Sequence, residues 1–178
     1  MPRELRYSVS GEVRSIPKHV ESYELEEFIG NGQFGDVFRA RYVPLEEPRA
    51  LKICRNPQVQ LAAFHTEAQR LCRLKNLSDT GIVRIDAFGL PSLAFPFAWY
   101  AMEFIEGKTL HEMMQDGSIH TWGFGAKSQC FQNMLTTIAR ASQVGVRHYD
   151  LHAGNIKLAG YLEALTPKVN SGKDCTEI

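Results

Sequence analysis

The sequence predicts an α+β chain: an antiparallel five-stranded sheet with one helix, followed by a helical part. Three observations carry that expectation. Residues 23 to 54 hold three β-rich runs separated by glycine- and proline-bearing turns, the pattern of an antiparallel meander. Residues 59 to 75 and 126 to 143 space their apolar side chains at helical intervals. Two more β-rich runs, near 82 to 85 and 98 to 104, lie between those helices.

Each element has its own justification. Residues 1 to 21 are polar, mixed in charge and weakly periodic, and are expected to form a flexible arm. Tyr23, Leu25, Phe28 and Ile29 lead a first strand into Gly30. Val37 to Val43 reads as the returning strand, alternating from Phe38 with Ala40 and Tyr42 on one face. The segment 43 to 48 supplies turn residues, and Arg49 to Cys54 is a third strand. Leu61, Phe64, Ala68, Leu71 and Leu74 recur every three or four residues and predict a helix. Leu110, Met113 and Met114 make a short apolar stripe; Phe131, Met134, Leu135 and Ile138 make a longer one. A polar loop around residues 148 to 155 then leads into a short strand, and the tail beyond is weakly patterned.

Composition excludes several classes of function. With 178 residues, 44% hydrophobic and 22% charged, the chain suits a globular domain rather than a fibrous or disordered one. Lysine plus arginine and aspartate plus glutamate both number 20, so no net field draws in nucleic acid or an anionic membrane, and no nucleic-acid partner is expected. Cys54, Cys72, Cys130 and Cys175 form no C-x-x-C pair, which argues against structural zinc and suits reduced thiols in a cytoplasmic protein. The N-terminus has no apolar signal core, and the longest apolar run, Leu93 to Met102, is ten residues and too short to span a bilayer.

Three constellations could carry chemistry. Gly30-Asn31-Gly32-Gln33-Phe34-Gly35 is followed by a strand rather than a helix, so it is a glycine hairpin and not a dinucleotide-binding turn. Such a flap can lay bare N–H groups over phosphate oxygens, although a plain glycine-rich hairpin has the same composition. Lys52 sits in the apolar run Ala50-Leu51-Lys52-Ile53 and must either reach solvent or find an anion. Glu67 is the one acidic residue between Lys52 and Asp79, and it falls mid-helix, where a solvated glutamate is the ordinary alternative. Asp150 and Asn155 share a short polar loop, where a carboxylate and an amide oxygen can serve a hydroxyl and a hard cation together. His148, Asp150 and His152 as metal ligands, or self-satisfying loop side chains, are the competing readings of that loop.

Taken in order, the glycine hairpin, the strand lysine, the helix glutamate and the H-x-D-L-x-x-x-N loop resemble the protein kinase signature from about Tyr23 to Leu158. The resemblance implies a protein kinase-like fold, with a sheet-bearing N-lobe over residues 22–104 and an incomplete helical C-lobe over 105–178. It implies ATP and Mg2+ as cofactors and a protein hydroxyl, Ser or Thr, as acceptor. Gly30, Gly32 and Gly35 would cover the phosphates, with Ile29 and Asn31 in the same nucleotide-binding set. Val37 and Ala50 would pack on adenine, Met102 would be the gatekeeper, and the backbone of Glu103 and Ile105 would bond the adenine edge. Lys52 would pair with the α- and β-phosphates, held by Glu67; Asp150 would take the acceptor's proton, and Asn155 would hold magnesium.

The pattern also departs from the family. Tyr149 replaces the usual arginine of the catalytic loop, so control through a phosphorylated activation loop is not expected. The run Asp150-Leu151-His152-Ala153-Gly154-Asn155 is similar to small-molecule phosphotransferases and atypical lipid-linked kinases, and the longer run from His148 and Tyr149 through Asn155 is similar to short bacterial effector kinases. Lys157 stands where the family keeps an apolar floor for adenine. After Pro167-Lys168-Val169 the chain reads Asn170-Ser171-Gly172, with no Asp-Phe-Gly; Asp174 comes late. The expectation is therefore a truncated or minimal kinase domain, with a pseudokinase or a small-molecule phosphotransferase as alternatives. The apolar stripe of the 126–143 helix is expected to be exposed, and to imply a dimer or a partner.

Overall fold

The structure, a computed structural model, describes residues 4–74, 81–147 and 151–158. Two compact units divide the chain, Met1–Cys72 with Arg84–Phe104 and Arg73–Val83 with Ile105–Ile178.

The first unit opens with a hairpin where the sequence suggested an arm. Strands β1 (Glu4–Val9) and β2 (Glu12–Pro17) pair antiparallel around Ser10 and Gly11. Both turn residues have positive φ, 52° and 85°, which matches the twist of a two-residue hairpin. The expected flexible arm over 1–21 is thus corrected. Leu5, Tyr7 and Val9 alternate along β1, and Ile16 and Val20 are buried in the main core.

The main sheet runs β3-β4-β5-β6-β8-β7, with every neighbouring pair antiparallel. Its strands are β3 (His19–Val20), β4 (Tyr23–Asn31), β5 (Gly35–Tyr42), β6 (Glu47–Cys54), β7 (Ile85–Gly89) and β8 (Trp99–Glu103). Six strands stand where five were expected; the added one is the two-residue β3, from the segment read as an arm. The run expected at 82 to 85 begins only at Ile85 and continues to Gly89.

Helix α1 (Pro57–Leu74) starts with proline at its first position, where the missing N–H costs nothing. Asn56 just before it accepts from Gln60 N–H at 2.8 Å through its carbonyl. The alternation of β8 divides the packing. Trp99 and Ala101 join Leu25, Phe38, Leu51 and Ile53 on the hairpin side, while Tyr100 and Met102 join Phe64 and Ala68 of α1. Full burial of each large apolar side chain contributes roughly 1.5–3 kcal/mol, so the hairpin and α1 are integral to the sheet.

In the second unit α2 (Leu110–Gln115) is opened by a capping box, in which Thr109 Oγ1 accepts from Glu112 N–H and Glu112 accepts from Thr109 N–H. A 3-10 turn at Ser118–Thr121 precedes α3 (Phe124–Gln143). The buried seam of α3 is Cys130, Thr137 and Ala141, with Met134 packed beside it. Of the stripe read from sequence, Phe131 and Leu135 are exposed, at 58% and 51%. The apolar spacing marked the helix, and the exposure of Phe131 and Leu135 agrees with the exposed stripe expected there, while smaller side chains carry the buried seam.

Candidate functional site

Strand register brings the first group of candidates together. Val37 faces Lys52 across β5 and β6; Lys52 faces Tyr100 and Ala50 faces Met102 across β6 and β8. Directly opposed residues share a sheet face, so Val37, Ala50, Lys52, Tyr100 and Met102 all stand on the side packed by α1.

From that helix Glu67 meets the lysine. Lys52 Nζ donates to Glu67 Oε1 at 2.6 Å, with Lys52 8% exposed and the Glu67 side chain 32% exposed. A buried ammonium needs such a partner, because desolvation without one is costly. The Tyr100 ring lies 5.9 Å from Lys52 Nζ. Burial first, and then the negative charge of Glu67, hold the Tyr100 hydroxyl well above the usual phenol range, so it stays neutral beside the pair. Tyr100 was absent from the residues singled out in the sequence; the signal was a lone phenol in the apolar run Ala98 to Met102, two positions before the gatekeeper.

Above the lysine the glycine flap joins β4 to β5. Gly32 N–H donates to the Gly35 carbonyl at 2.8 Å and closes the tip. A Cβ at Gly32 would lie 3.2 Å from Lys52 Nζ, and one at Gly35 would lie 2.4 Å from the Ile53 carbonyl oxygen. The two glycines therefore let backbone come down onto β6 and its lysine. Gly30 is different: nothing lies within 4 Å of a Cβ built there. Gly30 and Asn31 sit opposite Val37 and Asp36 on β5, and Ile29 is 40% exposed.

Two residues that the sequence did not mark brace this flap. Arg55 Nη2 donates to the Gly32 carbonyl and, at 3.2 Å, to that of Gln33, while Arg55 N–H reaches the Phe34 carbonyl at 3.4 Å. Asp36, 1% exposed, follows the third glycine and accepts from Tyr7 Oη at 3.0 Å. At the sheet's far edge Glu103 N–H donates to the Arg84 carbonyl at 3.0 Å, and the Glu103 carboxylate accepts from Arg84 Nε at 3.3 Å.

The second unit holds the remaining described candidates. Ile105 is buried, and its carbonyl accepts from Lys157 Nζ at 2.9 Å. That bond gives Lys157 the role the sequence could not. Ile156 and Leu158 point into the core, and Leu110 N–H and Leu158 N–H bond the Ile156 and Lys108 carbonyls, so Lys157 is turned the other way. Burial lowers the Lys157 pKa, partly offset by Glu112. Asn155 closes a 3-10 turn (Ala153–Asn155), its N–H bonded to the His152 carbonyl at 2.9 Å, and His152 Nδ1 accepts from Gly154 N–H. Asp150, His148, Tyr149 and the residues after Leu158 lie outside the described residues.

The donor set can be tested against the groups expected here. A buried ammonium held by a carboxylate, with the backbone of Gly32 and Gly35 close above it, suits the phosphates of ATP. For the magnesium expected at Asn155, that side chain carries a neutral amide, and no cluster of three or more His, Cys, Asp or Glu side chains able to hold a metal ion occurs among the described residues. No helix among them is long and apolar enough to cross a membrane.

Comparison with known proteins agrees with the fold. No protein-family model matches the chain. It is 29% identical over 140 residues to the serine/threonine-protein kinase pkn3 of Myxococcus xanthus, covering 75% of this chain and 24% of that protein. It is 28% identical over 170 residues to CBL-interacting protein kinase 31 of Oryza sativa subsp. japonica, covering 88% of this chain and 36% of that one. The serine/threonine-protein kinase PknB of Mycobacterium leprae is 26% identical over 154 residues. A solved structure titled "PpkA-294 apo form" superposes with a TM-score of 0.67 at 23% identity, covering 80% of this chain and 56% of that one. The chain thus spans about a quarter to a third of the length of these curated relatives, 24% and 36% for the first two.

Proposed function

We propose that this chain, which belongs to the protein kinase-like superfamily, binds ATP beneath its glycine flap and supports phosphoryl transfer to a Ser or Thr hydroxyl of a protein. One observation carries the reading: the 2.6 Å pair of Lys52 and Glu67 lies directly under Gly32. Phosphoryl transfer depends chiefly on positioning and charge neutralisation, and a lysine fixed by a carboxylate supplies both.

Each residue then has a task. Lys52 holds the α- and β-phosphates, and Glu67 holds Lys52. Gly32 and Gly35 allow close backbone approach, with Gly30, Asn31 and Ile29 at the flap's rim. Val37, Ala50 and Met102, on one sheet face, receive the adenine ring. Glu103 already uses its N–H on Arg84, so its carbonyl is the group that meets an exocyclic amine. By its place in the sequence motif, Ile105 is the residue whose N–H would bond adenine; its carbonyl accepts from Lys157. By its place in the sequence motif, Asp150 takes the proton as the acceptor oxygen attacks the γ-phosphorus and ADP departs. Magnesium, when bound, neutralises phosphate charge, and Asn155 offers it an amide oxygen.

A second reading is a nucleotide-binding module that does not transfer phosphate. It is favoured by the sequence after Pro167-Lys168-Val169, where Asn170-Ser171-Gly172 stands in place of Asp-Phe-Gly. Phosphate transfer from labelled ATP to a generic basic protein separates the two. Transfer that is abolished by Asp150→Asn supports the kinase reading. Nucleotide binding without transfer, unchanged by Asp150→Asn, supports the module.

A further inference from the structure

The N-terminal hairpin reaches the glycine flap through one buried carboxylate. Asp36 follows the third glycine of the flap and is 1% exposed. Tyr7 Oη of β1 donates to its Oδ2 at 3.0 Å, and Arg14 Nη1 of β2 approaches the same oxygen at 3.5 Å. Arg55 Nε stands 3.7 Å from Oδ1, while the other end of that guanidinium bonds the carbonyls of Gly32 and Gln33. One carboxylate thus ties three segments together: the hairpin, the foot of the flap, and the end of β6.

The placement has a physical reason. A carboxylate removed from water needs compensating donors or cations. Here Oδ2 accepts from the Tyr7 phenol and faces Arg14, while Oδ1, with no hydrogen-bond donor, has the Arg55 guanidinium as its cationic neighbour. Tyr7 is itself fixed, stacked on Phe28 and edge-on to Phe38 of the two flap strands, with ring centroids 5.2 and 4.9 Å away. Burial and the neighbouring Asp36 raise its hydroxyl to about 12, so it remains a donor at neutral pH. Arg14 is held in turn by Glu12, Nη2 to Oε2 at 2.5 Å. A glycine-rich tip alone would sample many conformations. Arg55 and Asp36 restrict it from below and from its foot.

We propose that Asp36, with Tyr7, Arg14 and Arg55, is a latch that positions the glycine flap, so that the N-terminal hairpin sets how tightly nucleotide phosphates are held. This rests on the nucleotide-binding reading above. Tyr7, Arg14, Asp36 and Arg55 are positioning residues; they act through the flap backbone.

The test uses the full chain and Tyr7→Phe, which keeps the ring packing and removes only the hydroxyl. Two quantities are read: the dissociation constants of MgATP and of adenosine, and nucleotide-free amide hydrogen exchange of the 30–36 segment. The expected result is MgATP weakened about three- to tenfold, a fraction of one hydrogen bond to a charged group because the hydroxyl acts on the phosphates only through the flap. Adenosine, which lacks phosphates, binds unchanged, and exchange quickens only at 30–36. Tyr7→Phe combined with Asp36→Asn should weaken MgATP no further than the stronger single change. An unchanged ratio of MgATP to adenosine affinity with unchanged exchange overturns the latch. So does equal weakening of both ligands with faster exchange across the whole first unit, which is general loosening. If the unaltered chain binds neither ligand, the nucleotide reading fails, and exchange at 30–36 alone decides whether the latch exists.

Discussion

Gly35 lies so close to Ile53 that a Cβ on it would stand 2.4 Å from the Ile53 carbonyl oxygen. The obstacle is backbone, paired on both sides near the end of β6, and cannot rotate away. Gly35→Ala should therefore destabilise the chain by about 1–3 kcal/mol. Gly30→Ala, with open space at its Cβ, should stay within about 0.5 kcal/mol of the unaltered chain. Urea denaturation of both variants checks the contrast; equal losses would mean the flap does not rest on β6.

The Lys52–Glu67 pair predicts a second asymmetry. Glu67→Ala leaves a mostly buried ammonium without its partner and should cost about 1–3 kcal/mol, less than a fully buried pair because Glu67 is partly exposed. If the kinase reading holds, transfer should fall by about 100-fold, since the lysine is no longer aimed. Lys52→Met combined with Glu67→Ala should recover part of the stability and none of the transfer. Stability additive across the two changes would show that the pair contributes little.

The hairpin at the N-terminus supplies a third prediction. Ile16 is 3% exposed in the main core, so Ile16→Ala should cost about 2–4 kcal/mol. Gly11→Ala, at φ 85°, should cost about 1 kcal/mol, whereas a flexible arm would tolerate both. Thermal melts of the two variants distinguish a docked hairpin from an arm.

Why the hairpin escaped the sequence reading is instructive in physical terms. Its apolar positions, Leu5, Tyr7 and Val9, do alternate, and Ser10-Gly11 is a two-residue turn signal. Glu4, Arg6, Glu12 and Arg14 dilute that pattern, and polar composition outweighed the alternation. The Lys52–Glu67 contact was legible because an otherwise acid-free stretch left a single partner for a lysine in an apolar strand. Asp36 and Arg55 were not, because their role depends on where the flap folds back, a long-range fact. Lys157 was equally opaque: its carbonyl partner on Ile105 lies 52 residues earlier.

Acid stability should depend on Glu24. Lys18 first and Arg41 second, both hydrogen-bonded to its carboxylate, lower its pKa from 4.5 to about 2. Below 4.5 the unfolded chain takes up this proton while the folded chain does not, so stability falls as pH drops from about 4.5 to about 2. The contribution is fully present above that window. Glu24→Gln should flatten this part of the profile of denaturation midpoint against pH. An unchanged slope would show that the two cations do not hold the carboxylate in solution.

Calorimetric titration of MgATP into the unaltered chain and into Lys52→Met tests the phosphate site most directly. Binding by the unaltered chain, weakened about tenfold or more in Lys52→Met while adenosine affinity stays the same, is the predicted result. Equal MgATP affinity in the two proteins would contradict it, as would an unaltered, folded chain that binds no nucleotide at all.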